Sequence, residues 1–171
     1  MDLKAYGKIL SMFLILLLIQ VMVINNINIG VWGVTPMFYT LFVLALPFET
    51  PRWVLLVFGF VMGFAVDVFC DTPGLNAGAT TMMAFARPWV LGVLAPRDGY
   101  EHGTRPYLMH MGFIWYLYYS AALVMIHSTA YYILDVFGFA HFLKTLGQII
   151  LTTIFTEIFI IFSQYIAFRK Q

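Results

Sequence analysis

The fold this sequence predicts is an all-α integral membrane protein with six transmembrane helices, the second short or broken. Three observations predict it. The 171 residues are 62% hydrophobic and 10% charged, with a mean hydropathy of +0.89, where a soluble domain averages roughly 25% charged residues. Five apolar stretches are each long enough to cross a bilayer. The basic residues fall into order only when a sixth crossing is counted. Residues 1–171 therefore read as a single polytopic membrane domain, with no stretch left over for a soluble one.

The first element follows Lys4 and Lys8 and runs from Ile9 to Ile24. Residues Gln20 to Asn25 lack the small-x-small pattern of a signal-peptide cleavage site, so the stretch reads as a retained first span. Met37 to Leu46, bounded by Pro36 and Pro47, is too short for a straight span and is expected to run broken. It borrows Ile27 to Thr35, where Gly30 and Gly33 interrupt it. Trp53 to Cys70 and Leu75 to Leu94 follow. Between them Pro73 and Gly74 predict a tight turn and an antiparallel pair. Met111 to Leu134 and Thr145 to Phe168 complete the set.

With six crossings and a cytoplasmic N-terminus, Lys4, Lys8, Arg52, Arg97, Arg105, Arg169 and Lys170 fall on one side, opposed by Lys144, with Arg87 near a helix end. Removing the second crossing scatters them across both sides, against the positive-inside rule. Trp53 and Trp89 at inner ends, Trp32 in the first outer connection, and the tyrosines around Tyr116 and Tyr131 are expected to anchor the interfaces. The one sizeable polar connection, Pro96 to His110, reads as a solvated inner loop. It contains Arg97, Asp98, Glu101, His102, Arg105 and His110.

Asp67 is the most informative residue. It sits in GFVMGFAVDVF with Gly59 and Gly63 at four-residue steps behind it, so one helical face carries two flat backbone patches and then a carboxylate. Small residues let helices approach closely, and an ionisable group in hydrocarbon is costly, so this face is expected to be covered by another helix. Asp71, Pro73 and Gly74 extend it to the outer turn. Thr153, Thr156, Glu157, Ser163 and Gln164 give the last helix a polar band that should also face protein. Glu157 reads as a protonated or paired carboxyl, or as a relay. Arg87 is open to two readings, as an ion-pair partner of either acid or as a snorkelling side chain at the inner interface. His127 reads as a packed, hydrogen-bonding histidine.

No chemistry-bearing spacing accompanies these residues. His102, His110, His127 and His141 are scattered, and Cys70 is the single cysteine, which leaves neither a zinc helix nor a CxxC pair. There is no phosphate-binding GxxxxGK loop and no GxSxG elbow. Asp67 and Asp71 supply too few oxygens for a calcium shell. A net charge of +1 gives no reason to expect nucleic acid. The reading is thus of no catalytic residue, no metal and no cofactor.

TPMFYTLFVLALPFETPRW (35–53), GFVMGFAVDVF (59–69), DTPGLNAGATTMMAF (71–85) and PRD (96–98) resemble the bacterial rod shape-determining family MreD, in its Bacteroidota form. The resemblance covers the span order of the whole chain and is distinctive from Thr35 to Asp98. It implies an inner-membrane subunit of the cell-elongation machinery that binds MreC. RodA-type glycosyltransferases and class B penicillin-binding transpeptidases are implied as indirect partners. It also implies a fold similar to the substrate-binding component of vitamin transporters, with the family's glycine, aspartate and Pro-Gly pattern falling on Gly59, Gly63, Asp67, Pro73 and Gly74. The tyrosine-rich fifth span and the histidines of the inner loop depart from that family. The rival expectation, drawn from Asp67, Glu157 and that same fold similarity, is a small-molecule transport subunit with a polar site near mid-membrane.

Overall fold

A computed structural model describes residues 3–27, 34–101, 103–136 and 142–168. Gly30, Trp32, Gly33, His102, His141, Arg169 and Lys170 lie outside the described residues. Those described form helices α1 (Leu3–Met22), α2 (Leu41–Leu44), α3 (Arg52–Cys70), α4 (Leu75–Val93), α5 (Leu108–Met111), α6 (Phe113–Val136) and α7 (Phe142–Phe168). The five long helices coincide with the five predicted stretches to within a few residues.

Three segments, Gly7–Asn26, Arg52–Cys70 and Phe142–Ala167, are long and apolar enough to cross a membrane. α4 and α6 have 19 and 24 residues, about 28 and 36 Å of helix. They fall short on hydropathy because they carry the polar interior: Asn76, Thr80 and Arg87 on α4, and Tyr116, Tyr119, Ser120, His127 and Ser128 on α6, all buried. α3 packs most extensively on α4, α4 on α6, and α6 on α7, with α1 against α3.

The segment between Pro36 and Pro47 is neither a straight helix nor a surface loop. A 3₁₀ turn at Phe38–Thr40 leads into α2, and Phe38 to Leu46 is buried throughout, with Val43, Leu44 and Leu46 at 0% exposure. The rest of the bundle closes around it, so its backbone groups need partners within the protein.

The helices agree on a common polarity. The α3–α4 hairpin puts Arg52 and the 96–107 connection at one end, where the Gly103 N–H donates to Glu49 Oε1 at 3.0 Å. Asn25 Nδ2 donates to Cys70 Sγ, which ties the far end of α1 to the opposite end. The connection between α4 and α5 is also clamped. Tyr100 stacks on Phe48 with ring centroids 4.2 Å apart, and its hydroxyl donates to Leu91 O at 2.7 Å. Burial pushes the Tyr100 phenol up to about 12. A fully solvated loop, as the sequence suggested, is therefore corrected to one pinned at Tyr100 and Gly103.

Candidate functional site

The Gly59–Gly63–Asp67 face is filled by α4 of the same chain. A Cβ on Gly63 would stand 2.3 Å from Asn76 O and 2.6 Å from Ala77 Cα, and one on Gly59 would stand 2.9 Å from Ala84 Cβ. Backbone thus lies on backbone, and α4's first turn is brought within reach of Asp67. That carboxylate accepts from the N–H of Asn76 at 3.0 Å, the N–H of Ala77 at 2.8 Å, Asn76 Nδ2 at 2.9 Å, and the Thr72 hydroxyl. The N-cap position of α4 is Gly74, which has no side chain to offer. Asp67 supplies the missing cap from across the hairpin, satisfying two orphan N–H groups and placing an acid at the positive end of the helix. The covering helix expected from the sequence is therefore α4 of the same chain, and the face is an internal seam.

The turn that makes this geometry follows from Asp71 to Gly74. Asp71 adopts the left-handed conformation at φ 55°, ending α3 with its N–H on Asp67 O, and Gly74 takes φ 81°. Asp71 itself is exposed, so the seam contains one acid and not two.

From Asp67 a hydrogen-bonded chain runs inward. Asn76 spends its amide nitrogen on Asp67 and Thr72, so its oxygen accepts from the Tyr39 hydroxyl at 2.7 Å. Tyr39 has one hydrogen, already given, and must accept from His127 Nε2 at 2.9 Å. Thr80 confirms the direction: its hydroxyl donates to Asn76 O at 2.7 Å and can only accept from the same Nε2 at 3.3 Å. The hydrogen of His127 is therefore on Nε2. Every donor in the chain His127, Tyr39, Asn76 points toward Asp67.

A second set of side chains satisfies the broken segment, whose ends leave backbone groups without helical partners. At its entrance Gln20 Nε2 donates to Pro36 O at 3.0 Å, Gln20 Oε1 accepts from the Tyr39 N–H at 3.2 Å, and Thr156 Oγ1 accepts from the Met37 N–H at 2.9 Å. At its exit the Tyr119 hydroxyl donates to Leu44 O at 3.1 Å, and the Arg87 guanidinium donates to Leu46 O, to Pro47 O and to Tyr119 at 2.7 Å. Arg87 is 0% exposed. Both sequence readings of it are corrected: it neither pairs with an acid nor reaches water, but caps the carbonyl end of the segment, where the helix dipole favours a cation.

The polar band of α7 faces protein as expected, with Thr153, Thr156, Glu157 and Gln164 buried. Ser163 is half-buried and donates back to Ile160 O. Thr152 joins them by bonding the Tyr132 hydroxyl at 2.9 Å. The interface-anchor reading of the fifth span holds for neither Tyr116 nor Tyr119, which are 1% and 0% exposed; Trp53 and Trp89 do face outward. Glu157 Oε2 is 2.9 Å from Ser120 Oγ, while Glu157 Oε1, Tyr116 OH, His127 Nδ1, Ser128 Oγ and Gln164 Oε1 are buried with no hydrogen-bond partner among the described residues. Asp67 and Glu157 are thus opposites, one saturated with donors and the other nearly bare.

Sequence reading missed Gln20, Tyr39, Asn76, Thr80 and Tyr119. The signal available was the proline-bracketed segment, which must leave backbone groups for nearby polar side chains to satisfy. Among the described residues no three of His, Cys, Asp and Glu gather as a metal site. Among the described residues an apolar groove of about 870 Å³ lies between the C-terminal half of α6 and the N-terminal half of α7. No family model, curated protein or solved structure matches the chain.

Proposed function

We propose that this chain is a non-enzymatic scaffold subunit of the bacterial cell-elongation complex, a MreD-type protein that binds MreC in the inner membrane. In this reading the chain crosses six times, with residues 36–47 inside the second crossing and both termini cytoplasmic, on a fold similar to the vitamin-transporter binding component. The observation that carries it is where the polar side chains go: Gln20, Thr156, Tyr119 and Arg87 each end on the backbone of the broken segment, and Asp67 ends on α4. Polarity spent on rigidity suits a protein whose product is a fixed outer surface. MreC then meets the lipid-facing helix surfaces, and the glycosyltransferase and transpeptidase are engaged through it.

One cavity favours the rival reading of a small-molecule transport subunit. It has a volume of about 420 Å³ and is lined by Gln20, Asn25, Tyr39, Thr72, Asn76 and Tyr131 among others. Its amides are already engaged, Gln20 with Asn25 and Pro36 O, Asn25 with Cys70, and Asn76 with Asp67, Thr72 and Tyr39, which favours the scaffold. Affinity purification from cells expressing tagged chain tests the two. The scaffold reading expects MreC to copurify and depleted cells to round up. Absence of MreC together with saturable binding of a vitamin-like ligand would replace it with the rival.

A further inference from the structure

Ser120 sits one turn after Tyr116 on the buried face of α6, opposite Glu157 of α7, and its single hydroxyl hydrogen is over-subscribed. Its oxygen is 2.7 Å from Tyr116 O and 2.9 Å from Glu157 Oε2. One hydrogen shared between both would make two bent, weak bonds, whereas distances this short are those of two full hydrogen bonds, each with its own hydrogen. A carbonyl oxygen has none to give, so the Ser120 hydrogen serves Tyr116 O, and the second must come from the carboxyl. We infer that Glu157, Ser120 and the Tyr116 carbonyl form an intramembrane proton-binding site, in which Glu157 carries its proton on Oε2 and donates it to Ser120.

The surroundings agree. Glu157 is 7% exposed, and among the described residues no Lys, Arg or His donates to either of its oxygens. Its Oε1 has no donor, which a carboxylate tolerates far less well than a carboxylic acid. The titratable group facing it from α6 is Tyr116, whose hydroxyl is likewise unpartnered and also 1% exposed. Asp67, the other intramembrane acid, shows the contrast, with four donors converging on it. Removing the proton from Glu157 would leave a charge in the α6–α7 seam beside an oxygen with no hydrogen to offer, so the site couples proton occupancy to the closure of that seam. This inference stands apart from the scaffold reading and survives its failure.

The chain has three glutamates, Glu49, Glu101 and Glu157. Infrared spectroscopy of the full chain in lipid, labelled with ¹³C-carboxyl glutamate and carrying Glu49→Gln and Glu101→Gln, therefore reports Glu157 alone without altering it. At neutral pH the expected spectrum has the isotope-shifted carbonyl band of a protonated acid. Ser120→Ala should move that band to higher frequency, as the carboxyl loses its acceptor. A labelled spectrum with carboxylate bands only would overturn the inference. So would a protonated band that Ser120→Ala leaves in place, since the proton would then not be shared with that hydroxyl.

Discussion

Replacing Gly63 with alanine adds one methyl group at the tightest of the described glycine contacts. The new Cβ would meet Asn76 O at 2.3 Å and Ala77 Cα at 2.6 Å. Both are backbone atoms of a helix and cannot swing aside, so α4 must retreat by about 1 Å to restore ordinary contact. Overpacking of this kind costs roughly 1–3 kcal/mol. The retreat also stretches the bonds from Asp67 to the Asn76 and Ala77 N–H groups, now 3.0 and 2.8 Å, beyond hydrogen-bond range. Bonds to a charged group contribute roughly 1.5–3 kcal/mol each. Against this stands a gain of about 1 kcal/mol from replacing glycine inside a helix. The net expectation is a loss of about 3–8 kcal/mol. Gly59→Ala should lose less, because its nearest neighbour is the Ala84 methyl group at 2.9 Å, and Gly92→Ala, with nothing within 4 Å, should be neutral or slightly stabilising. Thermal unfolding of the three variants in one detergent measures the order. A Gly63→Ala protein as stable as Gly92→Ala would refute the packing of α4 on this face.

Three further outcomes follow from the same contacts. Asp67→Asn turns an amide N–H₂ toward the N–H that Oδ2 now accepts from Ala77, setting donor against donor, and should cost about 1–3 kcal/mol in the same unfolding assay. Arg87→Lys keeps the charge but cannot reach Leu46 O, Pro47 O and the Tyr119 hydroxyl together; it should lower stability by about 1–3 kcal/mol and speed amide exchange around Ala45 to Phe48. Tyr100 is neutral when protonated and its folded value is raised, so its contribution to loop docking is complete below the ordinary phenol value of 10.0 and is lost as pH rises through about 12. Amide exchange of residues 96–107 should accelerate across that window, and Tyr100→Phe should abolish the dependence.

How much of this was legible in the sequence depended on the range of the interaction. The long helices were readable because each apolar stretch carries its own evidence, and the Pro73–Gly74 turn was readable because φ at Gly74 is a local demand. The Gly59–Gly63–Asp67 face announced that something would cover it. What covers it could not be read, since small residues specify closeness and not the identity of the neighbour, and the nearest candidate proved to be the next helix of the same hairpin. Arg87 was misread for a related reason. A lone cation among apolar residues suggests an acid or water, while its actual partners, the Leu46 and Pro47 carbonyls, carry no side-chain signature. Tyr116 and Tyr119 look like belt residues in composition, and only the position of α6 between α4 and α7 turns them inward.

The most direct test of the internal seam is a disulfide between Gly59→Cys and Ala84→Cys in a Cys70→Ala background. The two Cβ positions are 2.9 Å apart, within a small adjustment of the roughly 3.5–4.5 Å a disulfide requires. Under mild oxidation in membranes the account predicts a bond within a single chain, formed equally well on dilution. Cross-links only between chains would give this face to a neighbouring chain and contradict the account.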